Sequence, residues 1–142
     1  MNTKQVIVFR KDLLKGENAI RKGKFGAQCA HASLASLLRF FRKSKCTDNW
    51  NNTYTRFEVE FGQDCVLEDW LNGKFTKIVV SVPDEQSLIE LEKKCNELDI
   101  PCALIRDAGL TEFHNVPTIT CLGIGPWDSE SIDQITGNLS LL

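Results

Sequence analysis

Hydrophobic and polar positions divide this chain into segments of different period. KQVIVFR, Lys4 to Arg10, is a short apolar run of β-branched and aromatic residues bounded by charge, which predicts a buried strand, central in its sheet. Residues 11–23 mix charge with glycine and read as a basic loop leading into a helix over 24–41, an Ala- and Leu-rich stretch without proline. The small residues Gly26, Ala27, Ala30, Ser33 and Ala35 suit close approach of that helix to another backbone. Residues 42–55 are polar and Asn-rich, a loop, and the alternation of RFEVEF after it suits a half-exposed strand. Cys65 to Leu71 reads as a short helix closed by Asn72-Gly73, and Thr76 to Val82 as a second buried strand ended by Pro83. Asp84 can cap the next helix, whose Leu88, Leu91, Cys95 and Leu98 share the face that covers the sheet. Strands at 102–106 and 118–125 follow, the latter broken at Gly125-Pro126, then a helix capped by Asp128 or Ser129 and an apolar tail, LSLL, that docks. Strands alternating with helices predict an α/β fold: a three-layer α/β/α sandwich with a mixed, roughly four-stranded sheet.

Composition bounds this picture without changing it. At 142 residues, 42% hydrophobic and 25% charged, the chain fits one soluble domain able to bury a core without metal or oligomer. No apolar run approaches the roughly 18 residues of a membrane helix, and MNTKQVIVFRKD brings charge where a signal peptide has its apolar core, so the expected location is cytoplasmic. Six cysteines fall in no CxxC or zinc-ligand spacing and read as free, buried thiols.

Charge does change the picture, because the net value of −2 hides an asymmetry. Residues 1–45 carry eleven Lys or Arg against Asp12 and Glu17, a balance of +9, and the remainder carries −11. Such a dipole can steer a polyanion to one face without a basic isoelectric point.

Sites in open α/β sheets form where loops leave the carboxyl ends of strands, here after Arg10 and after Arg106. The first loop leads to Gly23-Lys24 at a helix N-terminus, where free N–H groups, the helix dipole and a lysine favour an anion; it reads equally as a solvated lysine. Phe25 breaks the GK[ST] of a phosphate-binding loop, which disfavours nucleotide hydrolysis. The second loop, RDAGLTEFHNVPT, opens with Asp107 at a strand end, a common catalytic placement and a common turn former. Cys29 and His31 lie two residues apart on one helix and point ~200° from each other, so they form no dyad. His31 reads as a buried, hydrogen-bonded core group.

These pieces together resemble the type 2 peptidyl-tRNA hydrolase family. The resemblance is carried by RKDL at 10–13, GKFGAQCAHAS at 23–33, KIVVSVPDEQSL at 77–88, PCALIRDAGLT at 101–111, TCLGIGP at 120–126 and the ending IDQITGNLSLL. It covers most of the chain except residues 14–22 and 42–70, the latter looking like an insertion in a single 1–142 domain. It implies hydrolysis of the ester between a peptide, or an N-blocked amino acid, and the 3′ end of tRNA, with neither metal nor organic cofactor. It also implies functional roles for Lys24, Asp107, Thr111 and Thr120. Ester hydrolysis needs a positioned water and donors for the developing oxyanion. Asp107 is accordingly assigned to the water, Lys24 to anionic charge, and Thr111 and Thr120 to hydrogen bonding. The expected partner is peptidyl-tRNA, met by phosphate contacts from Lys15, Arg21 and Lys22; no membrane partner is expected, and a homodimer is left open.

The chain departs from the family pattern at DAGLTE, where Leu110 and Glu112 replace the usual Arg and Gln, removing a cation and adding an anion beside the site. In the apparent insertion, Trp50, Tyr54 and Phe57 are available for stacking on a base, but a satellite core is the favoured reading. Two rivals to the enzyme remain: a tRNA-binding protein that has lost catalysis, and a protein-interaction adaptor on the same scaffold.

Overall fold

A computed structural model describes residues 1–142. Its centre is β1, Thr3–Arg10, whose side chains alternate between two cores: Val6 and Val8 face one way, Ile7 and Phe9 the other. A strand apolar on both sides needs cover on both sides. It pairs in parallel with β4 (Lys77–Val82) and antiparallel with β6 (Thr118–Asp128), which pairs antiparallel with β5 (Cys102–Asp107), giving the order β4-β1-β6-β5. One face is covered by α3 (Glu85–Glu97) and α4 (Ser129–Thr136), through Leu88, Leu91, Cys95, Ile132 and Ile135. The other is covered by α1 (Lys22–Leu38), with α2 (Val66–Asn72) beside it. The expected three-layer α/β/α sandwich on a mixed four-stranded sheet is thus the observed architecture.

The helix starts follow from their caps. Asp84 accepts from the Ser87 N–H at α3, Asp128 from the Ser131 N–H at α4, and the Cys65 sulfur from the Glu68 N–H at α2, each satisfying an otherwise unpaired first-turn amide. The tail docks by its backbone: Ser81 N–H donates to Ser140 O and Leu142 N–H to Val79 O, closing the free edge of β4.

Several expectations are corrected. Residues 42–55 are not a loop; Arg42–Thr47 forms β2 and pairs with β3, Thr53–Glu58, as a separate two-stranded sheet. The strand read from RFEVEF is placed in part: β3 takes in Arg56 to Glu58 and starts earlier, at Thr53. Because neither face of the hairpin is buried, the rest carries no apolar alternation to read. Leu98 lies past the end of α3 and is half exposed. The strand does not break at Gly125-Pro126 but continues to Asp128, because the β1–β6 register shifts between Lys4 and Val6 and that irregularity accommodates a residue without an N–H. Lys11–Leu14 forms a short 3₁₀ turn instead of open loop, with Leu13 and Leu14 packed on the α1 side.

Of the small residues expected to pack α1 closely, Ser33 and Ala35 do so, Ser33 through Gln5 and Ala35 against the core. Gly26, Ala27 and Ala30 face solvent. The close approach is made one turn later, where a Cβ on Gly123 of β6 would stand 2.3 Å from the Ala32 carbonyl oxygen, so only glycine fits under the helix. Ser36 also donates to the Gly125 carbonyl, and Gln5, fully buried, donates to the carbonyls of Ser33 and Gly125. These contacts fix the position of α1 over β6, and hence of its first turns over the strand ends.

Candidate active site

The carboxyl ends of β1, β4 and β5, the start of β6 and the N-terminus of α1 lie at one end of the sheet, by the strand pairing and by α1's contacts with β5 and β6. There the chain assembles a continuous polar cluster. Lys24 and Gln28 stand four residues apart on α1 and so share a face. Lys24 Nζ donates to Asp107 Oδ1 at 2.8 Å and to Thr111 Oγ1 at 3.0 Å. Gln28 Nε2 donates to the same Asp107 Oδ1 at 3.2 Å, and its Oε1 accepts from the Thr120 hydroxyl at 2.6 Å. Asp107 Oδ2 accepts from the Gly109 N–H at 2.8 Å.

That last bond depends on Gly109. Its φ is +81°, and a Cβ would stand 2.3 Å from the Val116 carbonyl oxygen, so the turn that aims this N–H at Asp107 closes only with glycine. Asn115 N–H then donates back to the Gly109 carbonyl at 2.7 Å, tying the loop to itself.

Accounting for donors and acceptors shows what the cluster keeps free. A carboxylate offers about four lone-pair sites. Oδ1 of Asp107 uses two, and Oδ2 one, leaving one acceptor direction on Oδ2. Lys24 has three protons and spends two on Asp107 and Thr111. Thr111 accepts from Lys24, so its own proton is free, and its residue is exposed. The Lys24 and Asp107 side chains are 14% and 15% exposed, enough for solvent contact while shielded from most screening. Hydrogen bonding from Lys24, seconded by the Gly109 N–H and Gln28, holds the Asp107 carboxyl below its ordinary range, so it is a firmly ionised carboxylate.

Lys24, Asp107, Thr111 and Thr120 are therefore brought into one network, but the two threonines differ. Thr111 faces solvent, whereas Thr120 is fully buried behind Gln28 and touches the site only through it. Gln28 was missed by sequence reasoning; the available signal was its i, i+4 spacing from Lys24. Phe113 was missed as well: its ring lies under Lys24, 5.5 Å from Nζ, where a cation–π contact helps hold the ammonium.

Lys15, Arg21 and Lys22 are exposed at the entrance to α1. The turn that carries them is closed by the Ile20 N–H donating to Leu13 O, with Ile20 buried as its anchor. Glu112 is not a loose anion beside the site. Its carboxylate accepts from the Arg21 N–H at 3.0 Å and lies 3.5 Å from the Arg21 guanidinium, at the positive end of α1. Leu110 points into solvent. His31 is exposed, not a buried core group, because its side of α1 turns away from the sheet. All six cysteines are free; burial pushes the Cys29 thiol up to about 11, far from a reactive thiolate.

Fold and site define a class: an α/β protein whose polar centre is a lysine–aspartate pair at the strand ends. The chain belongs to the family described as peptidyl-tRNA hydrolase PTH2, whose sequence profile matches residues 3–142. Among its relatives, the peptidyl-tRNA hydrolase of Methanopyrus kandleri is 40% identical over 139 residues, covering 98% of this chain and 97% of the relative. That of Sulfurisphaera tokodaii is 39% identical over 142 residues, covering 100% of both. That of Thermococcus onnurineus is 36% identical over 141 residues, covering 98% of this chain and 97% of the relative. No helix is long and apolar enough to cross a membrane.

Proposed function

We propose that this chain hydrolyses the ester bond between a peptide, or an N-blocked amino acid, and the 3′ end of tRNA, acting in the cytoplasm as a single 1–142 domain with residues 42–70 as an addition. The observation that carries the reading is the Lys24–Asp107 bond, with one acceptor direction of Asp107 Oδ2 and one proton of Lys24 left over. A water donating to Oδ2 is oriented toward an ester carbonyl presented at the cluster. Its oxygen bonds to the carbonyl carbon, the carbon–oxygen bond to ribose breaks, and the ribose oxygen leaves as a hydroxyl with a proton from the water. The remaining Lys24 proton and the Thr111 hydroxyl meet the negative charge that develops on the carbonyl oxygen. Gln28 and Thr120 are positioning residues: they fix the Asp107 carboxylate and do not themselves reach substrate.

All five side chains come from one chain, so the cluster is complete without a second copy. Lys15, Arg21 and Lys22 supply phosphate contacts beside it, with Arg21 shared between tRNA and Glu112.

The test is incubation with N-acetylaminoacyl-tRNA, following free tRNA and the released acid. Release by the wild-type chain, undiminished by a chelator, supports the reading. Tight tRNA binding without release at high enzyme points to a binding protein that has lost catalysis, and absence of tRNA binding to an adaptor; either result overturns the proposal.

A further inference from the structure

The β2–β3 hairpin displays three large aromatic side chains together with cations, away from the site. Trp50, Tyr54 and Phe57 are 81%, 44% and 53% exposed, so they form no satellite core, against the favoured sequence reading. The pairing register sorts the side chains by face, since residues directly opposite one another lie on the same side. Lys43 stands opposite Phe57 and Lys45 opposite Thr55 on one face; Arg56 and Tyr54 lie on the other. A cation flanks an aromatic ring on each: Lys43 Nζ is 5.8 Å from the Phe57 centroid, and Arg56 Cζ 5.9 Å from that of Tyr54.

The tip is built to hold Trp50 out. Asp48 Oδ1 accepts from the N–H groups of Trp50 and Asn52, both at 2.9 Å, and Oδ2 from Asn52 Nδ2 at 3.0 Å, with Asn51 at φ 63° closing the turn. The Asp48 charge is thus spent inside the turn, and Glu58 is paired with Arg42 at 2.8 Å. Lys43, Lys45 and Arg56 are left as cations in a chain whose net charge is −2. At its base the hairpin is attached to the body, where Phe40 packs on Trp127.

We propose that this hairpin is a second tRNA contact, its cations on backbone phosphates and its aromatic side chains stacked on unpaired bases. Charge complementarity selects a polyanion, and exposed rings interleaved with cations select nucleic acid bases over a featureless anionic surface. At 1.5 Å per residue, α1 puts the start of the hairpin about 20 Å from Lys24, which suits contact with a part of the tRNA away from the ester. The proposal rests on the tRNA substrate read above, and it assigns affinity, not chemistry, to the hairpin. Binding that is equal in ground and transition states changes KM and leaves kcat.

The experiment measures Kd for deacylated tRNA as a function of salt, and steady-state hydrolysis of N-acetylaminoacyl-tRNA. The proteins are the wild-type chain, W50A/Y54A/F57A, K43Q/K45Q/R56Q, and K93Q/K94Q on α3 as control. The aromatic variant is expected to bind about tenfold more weakly or worse, with the loss in KM. The charge variant is expected to bind more weakly and to lower the log–log salt slope by about 2 to 3, while the control keeps wild-type affinity. A chain in which residues 43–57 are replaced by a short Gly-Ser link covers the case in which a substituted hairpin fails to form. Wild-type affinity in that chain or in both triple variants overturns the proposal, as does a concentration-dependent dimer lost in the variants at unchanged tRNA affinity, which makes the hairpin a contact between copies. Hairpin-dependent binding without ester hydrolysis leaves this proposal standing and overturns the hydrolase reading; hydrolysis with hairpin-independent binding does the reverse.

Discussion

Asp107 concentrates the chemistry of the site in one carboxylate, and its ionisation belongs to its neighbours. The Lys24 hydrogen bond is the largest cause of its lowered pKa, ahead of the Gly109 N–H and Gln28. A lowered carboxylate pKa means that the ionised form, and the stability it contributes, is complete above the ordinary value of about 3.9 and is lost only as pH falls through the lower, folded-state value. Lys24→Ala removes the main cause and is expected to move the Asp107 midpoint upward in a carboxyl-carbon NMR titration. An unmoved midpoint would detach the pair from each other. Gln28→Ala, which frees the carboxylate and strands the Thr120 hydroxyl, is expected to lower kcat by about tenfold or more without abolishing tRNA binding. Lys24, Asp107, Thr111 and Thr120 were legible as candidates through the family resemblance, since GK at a helix start and Asp at a strand end read by themselves equally as a solvated lysine and a turn former. The structure brings the four into one network. The role of Gln28 was not legible, because it depends on a partner, Thr120, 92 residues away in the chain. The exposure of His31 was not legible either, since an Ala-rich helix does not declare which side faces the sheet.

At the scale of elements, the site depends on how closely α1 lies on β6. Gly123 leaves no room for a side chain beneath Ala32, so Gly123→Ala is expected to destabilise the fold by roughly 1–3 kcal/mol, read as a lower Tm, through displacement of the helix that carries Lys24 and Gln28. A variant with wild-type Tm would show that the helix tolerates the shift. Buried strands and capped helices were readable because their apolar runs and Asp caps are written in adjacent residues. Of the β2–β3 hairpin only the RFE shared by RFEVEF and β3 was readable, because RKSKCT and TYTRFE bury neither face and their pairing rests on backbone bonds and exposed cross-strand contacts such as Arg42–Glu58. The continuation of β6 past Pro126 was hidden for a related reason: it depends on a register shift against β1, which no local pattern records.

At the scale of the whole molecule, an acidic chain that takes a polyanionic substrate must place its cations locally. The +9 balance of residues 1–45 does so at two places, the entrance to α1 and the hairpin beyond its far end. Neutralising Lys15, Arg21 and Lys22 together is expected to weaken tRNA binding and to lower the log–log salt slope by about 2 to 3. The same slope in the triple variant and the wild type would place the substrate elsewhere. Cys29→Ser, by contrast, is expected to leave the hydrolytic rate unchanged, since burial holds that thiol protonated and it contributes no bond to the cluster; a large loss would bring the thiol back into the mechanism.

The central claim is that Asp107, held ionised by Lys24, positions the water that cleaves the ester. It is tested most directly by single-turnover hydrolysis of N-acetylaminoacyl-tRNA, with enzyme in excess, comparing the wild-type chain with Asp107→Asn. The amide keeps the shape of the carboxylate but loses its charge and one acceptor oxygen. The account predicts a rate lower by on the order of 10²-fold or more, with Kd for deacylated tRNA within a few-fold of wild type. A variant that cleaves at the wild-type rate with tRNA fully bound would contradict it.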